Sequence, residues 1–148
     1  MGLSVYSDEH FMNEALKLAS FAYEEDEIPV GAVIVCKRRI IARGYNQIEK
    51  LNDSTAHAEM LALTGAFNNM GAKYLTECSL YVTLEPCAMC AGALYWSQIG
   101  RLVYGARDPK RGYTNFGDIL HPKTEVVPGV LPEESEKLLV SFFKKLRN

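Results

Sequence analysis

The chain has 148 residues, 48% hydrophobic and 23% charged, which suits one compact domain over residues 1–148 rather than two separate cores. Sixteen Lys and Arg against eighteen Asp and Glu leave a net charge of −2, which argues against a protein that coats long nucleic acid, so any such contact needs a local patch or a small footprint. No apolar run approaches the roughly 20 residues of a membrane span, and Met1 to Tyr6 has neither a signal-peptide pattern nor, with Tyr6 where Ser or Thr is required, a myristoylation signal; a cytoplasmic protein is expected.

From Asp8 to about Tyr23 apolar residues recur at helical spacing, with Ser7 placed to cap the helix and Asp8 and Glu9 suited to its positive end. Pro29 ends any helix. Val30 to Cys36 then reads as a strand, turned through Lys37-Arg38-Arg39 into a second, Ile40 to Tyr45. Asn46 to Thr55 is a polar loop, and His57 to Phe67 a helix interrupted by Gly65. Cys78 to Leu84 reads as a strand, Pro86 to Trp96 as a helix with proline in its first turn, and Arg101 to Ala106 as a strand. Glu125 to Val127 is a last short strand, and Pro132 to Arg147 a closing amphipathic helix. A hairpin followed by alternating strands and helices predicts an α/β domain, its mixed sheet covered by helices on both faces.

Two motifs fall at predicted helix starts: His57-Ala58-Glu59 and, 29 residues after His57, Pro86-Cys87-Ala88-Met89-Cys90. Cys87 and Cys90 are three apart, which puts both sulfurs on one helix face, and His57 makes a third ligand. Three protein ligands leave a tetrahedral zinc one open position, the mark of a catalytic rather than a closed structural site. A water there falls to a pKa of roughly 7, and Glu59 is the candidate proton carrier. Helical period alone does not bring His57 and Glu59, two apart, to one point; the first turn must be loose. Cys36 and Cys78 are expected as small buried hydrophobes, and His10 and His121 as surface residues.

The paired motifs resemble the H-x-E and P-C-x-x-C signature of zinc-dependent nucleobase deaminases. Nearly the whole chain resembles the bacterial tRNA-specific adenosine deaminases of the cytidine deaminase superfamily. The matching segments are Glu27-Ile28-Pro29-Val30-Gly31-Ala32, Gly44-Tyr45-Asn46, Asp53 to Glu59, Leu80 to Cys90 and Gly105 to Lys110. The resemblance implies a three-layer αβα cytidine-deaminase-like fold with a central mixed five-stranded sheet. It also implies conversion of adenosine to inosine at the wobble position of a tRNA anticodon, by a homodimer with one zinc ion per subunit. By the same resemblance Asn46, Pro29 and Val30 line the base pocket, Ala56, Leu84 and Glu85 border it, Asp108 faces a ribose hydroxyl, and Phe142 and Phe143 lie beside the anticodon. Turn propensities give Asn46 and Asp108 a second reading, as turn residues.

Arg101, Arg107, Lys110 and Arg111, with Lys144, Lys145 and Arg147, are the candidate phosphate patch, although cations in a last helical turn also complement its dipole. The rival reading is a small-molecule deaminase acting on guanine, cytosine or a nucleoside; guanine deaminase, the nearest of these, shares the zinc motif and acts on a free base. Ile28-Pro29-Val30 and Leu84 resemble the tRNA enzymes, whereas Ala93-Leu94-Tyr95-Trp96 resembles the guanine enzymes and Arg111 to Pro128 is short for the tRNA family. A noncatalytic zinc-site scaffold is the third reading, and it gives Glu59 no reason to accompany the ligands.

Overall fold

The structure, a computed structural model, describes residues 6–147; the N-terminal stretch read above for targeting signals lies almost wholly outside the described residues. In chain order the elements are α1 (Asp8–Glu24), β1 (Gly31–Cys36), β2 (Arg39–Tyr45), α2 (Ile48–Leu51), α3 (Ala58–Met70), β3 (Cys78–Leu84), α4 (Ala88–Ser97), β4 (Arg101–Ala106), a 3-10 turn (Tyr113–Phe116), β5 (Glu125–Val127) and α5 (Pro132–Arg147). The five strands form one sheet in the order β2-β1-β3-β4-β5, with β1 antiparallel to both neighbours and β3, β4 and β5 parallel. No helix among the described residues is long and apolar enough to cross a membrane.

All six residues of β1 are buried, because helices cover both faces of the sheet. On one face Ala32, Ile34, Leu80, Val82, Leu102 and Tyr104 pack against Ala58, Ala62 and Leu63 of α3 and Ala91 and Leu94 of α4. On the other, Val33, Val35, Tyr81 and Val103 meet Phe11, Met12, Ala15 and Leu16 of α1, with Leu138 of α5 beside them. Cys36 and Cys78 are buried in the first of these cores, as expected of small apolar side chains. Gly44 lets α3 lie directly on β2: a Cβ there would run into the carbonyl of Ala58 and the amide of Ala62. That close approach fixes where the first turn of α3 sits.

The hairpin turns on two residues, Lys37 (φ 53°) and Arg38 (φ 66°), both left-handed, so Arg39 belongs to β2 rather than to the turn. The stretch expected as a plain loop contains α2, because the buried carboxylate of Glu27 accepts hydrogen bonds from the N–H groups of Glu49 (3.1 Å) and Lys50 (2.8 Å) and satisfies the free donors of that turn. Helix α3 runs unbroken through Gly65 and stops at Gly71, which takes the left-handed conformation at φ 60°.

Arg101, a candidate phosphate ligand by sequence, is committed elsewhere. Its guanidinium donates to both oxygens of Asp8 at 2.8 and 2.9 Å and to Glu125 at 2.6 Å, while the Tyr81 hydroxyl donates to Asp8 at 2.7 Å. This network ties the start of α1 to β3, β4 and β5. Its hydrogen bonds from Arg101, then that from Tyr81, hold the Asp8 carboxyl below the usual carboxylate range. A lowered folded-state value means that this stabilisation is present above the ordinary pKa near 4 and is lost as pH falls through the lower, folded value. Asp8→Asn should therefore unfold in urea with roughly 1–2 kcal/mol less stability at pH 7, and the gap from wild type should narrow as the pH is taken well below 4. An equal gap throughout would contradict the assignment.

Candidate zinc and catalytic site

The two motif segments meet at the ends of α3 and α4. His57 is the N-cap of α3 with extended backbone (φ −77°, ψ 154°), and Cys87 is the N-cap of α4 with φ −74° and ψ 175°. Neither side chain caps its own helix, so both project past the helix ends. Glu59 is already inside α3. That difference resolves the spacing problem, because His57 reaches the cluster from outside the helical period and Glu59 from within it.

The segment before His57 is folded by short-range bonds. Asp53 Oδ1 accepts from the Thr55 amide and hydroxyl, both at 2.8 Å, and the His57 amide donates to Thr55 O at 2.7 Å. Asn46 secures the same helix end from another element: its Oδ1 accepts from the Ala58 N–H at 2.8 Å and its Nδ2 donates to Ile28 O at 3.1 Å.

His57 Nδ1 lies 3.7 Å from Cys87 Sγ and 3.6 Å from Cys90 Sγ, and the three ligand atoms all fall within 4.8 Å of one another. A tetrahedral zinc ion at about 2.3 Å from sulfur and about 2.0 Å from nitrogen separates such ligands by about 3.6 Å, so the donor set and its spacing fit. Two soft sulfurs and one imidazole suit zinc chemically. Glu59 is 4% exposed, close enough to His57 and Cys87 for their charges to act on its carboxyl. Burial pushes its carboxyl up to about 7, the range in which a group both takes and gives a proton at neutral pH. Hydrogen bonds from Cys90 and His57 pull the Cys87 thiol down to about 4, and the same contact with Cys87 raises Cys90 and His57. The positive ends of α3 and α4 both point at the cluster and favour thiolate.

The other sequence candidates divide. Pro29 and Val30 are buried next to Asn46, whose amide donates to Val30 O at 3.2 Å, and Ala56 is buried one residue before His57. Leu84 ends β3, opposite Ala106. The carboxylate of Glu85 turns to the loop that follows β4 and accepts from Asp108 N and from Thr114. Asp108 Oδ1 accepts from the amides of Lys110 and Arg111, which makes it a turn residue here. Phe142 is not brought to this cluster: it is 2% exposed, packed on Tyr23 in the opposite helical layer, and Phe143 is the more exposed ring of the pair. Lys145 stacks on Tyr23 and pairs with Asp26 at 3.1 Å, Lys144 and Arg147 stay exposed in the last turn of α5, and Arg107, Lys110 and Arg111 are the exposed cations of the loop beside the ligand turn.

Glu27 and Thr114 were not singled out by sequence. Each acts through a partner more than 20 positions away, and no local pattern marks such a contact.

Residues 5–106 match the family model for the cytidine and deoxycytidylate deaminase zinc-binding region. The chain belongs to that family. This deaminase is 45% identical to the tRNA-specific adenosine deaminase of Aquifex aeolicus, over 95% of the chain and 96% of the relative. It is 44% identical to that of Bacillus subtilis, over 95% and 91%. Among solved structures it matches one from work on A-to-I editing at the wobble position of transfer RNA, with TM-score 0.83, 44% identity, and 88% and 99% of the two chains covered. A guanine deaminase from Nitrosomonas europaea matches with TM-score 0.78 at 28% identity, over 92% and 84%. The three-layer fold with a five-stranded mixed sheet is thus the cytidine-deaminase-like fold.

Proposed function

We propose that this single-domain deaminase hydrolyses adenosine to inosine at the wobble position of a tRNA anticodon, with one zinc ion held by His57, Cys87 and Cys90 and with Glu59 carrying the protons. The observation that supports the chemistry most directly is the meeting of those three ligands with a carboxyl buried to 4% exposure, which has no part in a purely structural metal site. The substrate reading rests on the relatives at 41–45% identity across nearly the whole chain. Those relatives do not favour the free-guanine alternative.

Zinc, when bound, supplies the Lewis acidity that makes water a nucleophile near neutral pH. Glu59 accepts one proton of the attacking water and delivers it to the adenine ring nitrogen, then takes the remaining proton from the hydroxyl on the ring carbon and passes it to the amino group as the C–N bond breaks, so adenosine and water become inosine and ammonia. Pro29, Val30 and Ala56 supply dry walls for the base, and Asn46 holds the first turn of α3 in place. A wobble base is unpaired and turns out of a loop at little cost, which suits a deep pocket with few phosphate contacts and a chain of net charge −2.

A homodimer and a cytoplasmic location belong to the same reading. In support of the dimer, Trp96 is 76% exposed and lines an open apolar groove between α3 and α4 with Met60, Leu63, Phe67 and Ala93.

The position of the base is tested with two RNA hairpins, one carrying adenosine at the wobble position and one with it paired in the stem. Inosine in the first alone is expected; inosine in neither, or equally in both, overturns the reading.

A further inference from the structure

We propose that Glu85 is a positioning residue that clasps the cation-bearing loop 107–114 to the turn carrying Cys87, and thereby sets the affinity for substrate phosphates; this rests on the RNA reading above. The Glu85 side chain is fully buried, yet its nearest cation, Arg107, is 72% exposed and stands 4.0 Å away. Its oxygens are occupied by the loop instead. Oε1 accepts from Asp108 N at 3.1 Å; Oε2 accepts from Thr114 N at 3.1 Å and Thr114 Oγ1 at 2.8 Å. One carboxylate therefore holds both ends of the loop.

Inside that span the backbone is already tight, since Asp108 Oδ1 takes the amides of Lys110 and Arg111 and Asp108 O takes that of Gly112 at 2.9 Å. Gly112 forms a bridge with Cys87, and Tyr113 N donates to Pro86 O at 2.8 Å. Any Cβ at position 112 would run into the Glu85 carboxyl and the Asp108 carbonyl, so a glycine is needed where the loop closes over the clasp. Loop and ligand turn thus share one buried group.

Burying an unpaired carboxylate is costly unless donors surround it, and here every partner is a donor. Glutamine cannot replace it in kind, because its NH2 would face one of the N–H groups that the second oxygen now accepts. What the clasp adds beyond packing is direction: it fixes the backbone from which Arg107, Lys110 and Arg111 project into solvent, the last two without an ion pair among the described residues.

The experiment takes the zinc-loaded Glu85→Gln and Gly112→Ala chains through anticodon stem-loop kinetics at several salt concentrations and hydrogen exchange across 107–114. Expected in both are full zinc content, kcat within about twofold of wild type, KM raised about tenfold, a shallower fall of kcat/KM with salt, and faster exchange at the Asp108 and Thr114 amides. Unchanged KM and salt dependence despite faster exchange would overturn the role in binding, and loss of zinc together with kcat would assign Glu85 to the ligand turn instead. Should Glu85→Gln fail to fold, Thr114→Val removes one donor to the clasp and is judged on the same KM and salt readouts. A wild type that makes no inosine in the stem-loop sinks the RNA reading alone, and the exchange rates still decide the clasp.

Discussion

Glu59→Ala is expected to retain one zinc ion per chain and to deaminate about a thousandfold more slowly than wild type, or slower still. The side chain is not among the three ligands, so the ion has no reason to leave with it. It is the carboxyl buried beside them, on the second residue of α3, whose backbone is held by Asn46 and by the close approach at Gly44. In the proposed mechanism one residue serves as base toward water and as acid toward the ring and the leaving group, so its removal strikes several proton transfers together. Zinc content by atomic absorption and single-turnover rates decide the matter. Turnover within tenfold of wild type would remove Glu59 from the chemistry, and loss of zinc would make it a ligand.

Cys87→Ala, or exhaustive chelation of the wild-type chain, should abolish activity and lower the melting temperature by about 10 °C. The magnitude follows from binding linkage: an ion present at a thousand times its dissociation constant stabilises the folded chain by about 4 kcal/mol, and each kcal/mol moves the midpoint by roughly 2–4 °C in a domain of this size. Cys87 and His57 stand at the N-caps of two different helices, so an ion held by them would join α3 to α4, a contact that otherwise rests on packing and on weak S···N hydrogen bonds. Re-addition of zinc should restore both midpoint and rate after chelation but not in Cys87→Ala. A chelated chain with unchanged activity would exclude a metal-dependent reaction.

The candidate metal-ligand cluster was legible in the sequence because its chemistry is written in residue type and in short spacing at helix starts. Its geometry was not: that His57 escapes the helical period depends on the extended backbone of an N-cap, set by bonds from Asp53 and Thr55. Strand β1 was readable from its β-branched content and length even though full burial erases alternation. By contrast α2 and the turn at Tyr113–Phe116 exist because the buried carboxylates of Glu27 and Glu85 take up their amides from 22 and 29 positions away. Long-range ion pairs also redirected the cation count. Arg101 reaches Asp8 across 93 positions and Lys145 is held over Tyr23, while Arg107, Lys110 and Arg111 stay exposed on one loop and Lys144 and Arg147 in the last turn of α5. The same holds for Phe142 and Phe143, since only the packing of α5 on α1 tells which ring is buried.

The most direct measurement incubates the zinc-loaded chain with an anticodon stem-loop carrying a wobble adenosine and, in parallel, with free guanine, and quantifies inosine and xanthine. Inosine in the stem-loop without xanthine is expected. Xanthine from guanine with no inosine in the RNA would contradict the proposed substrate and turn the cations of loop 107–114 into an ordinary solvated surface.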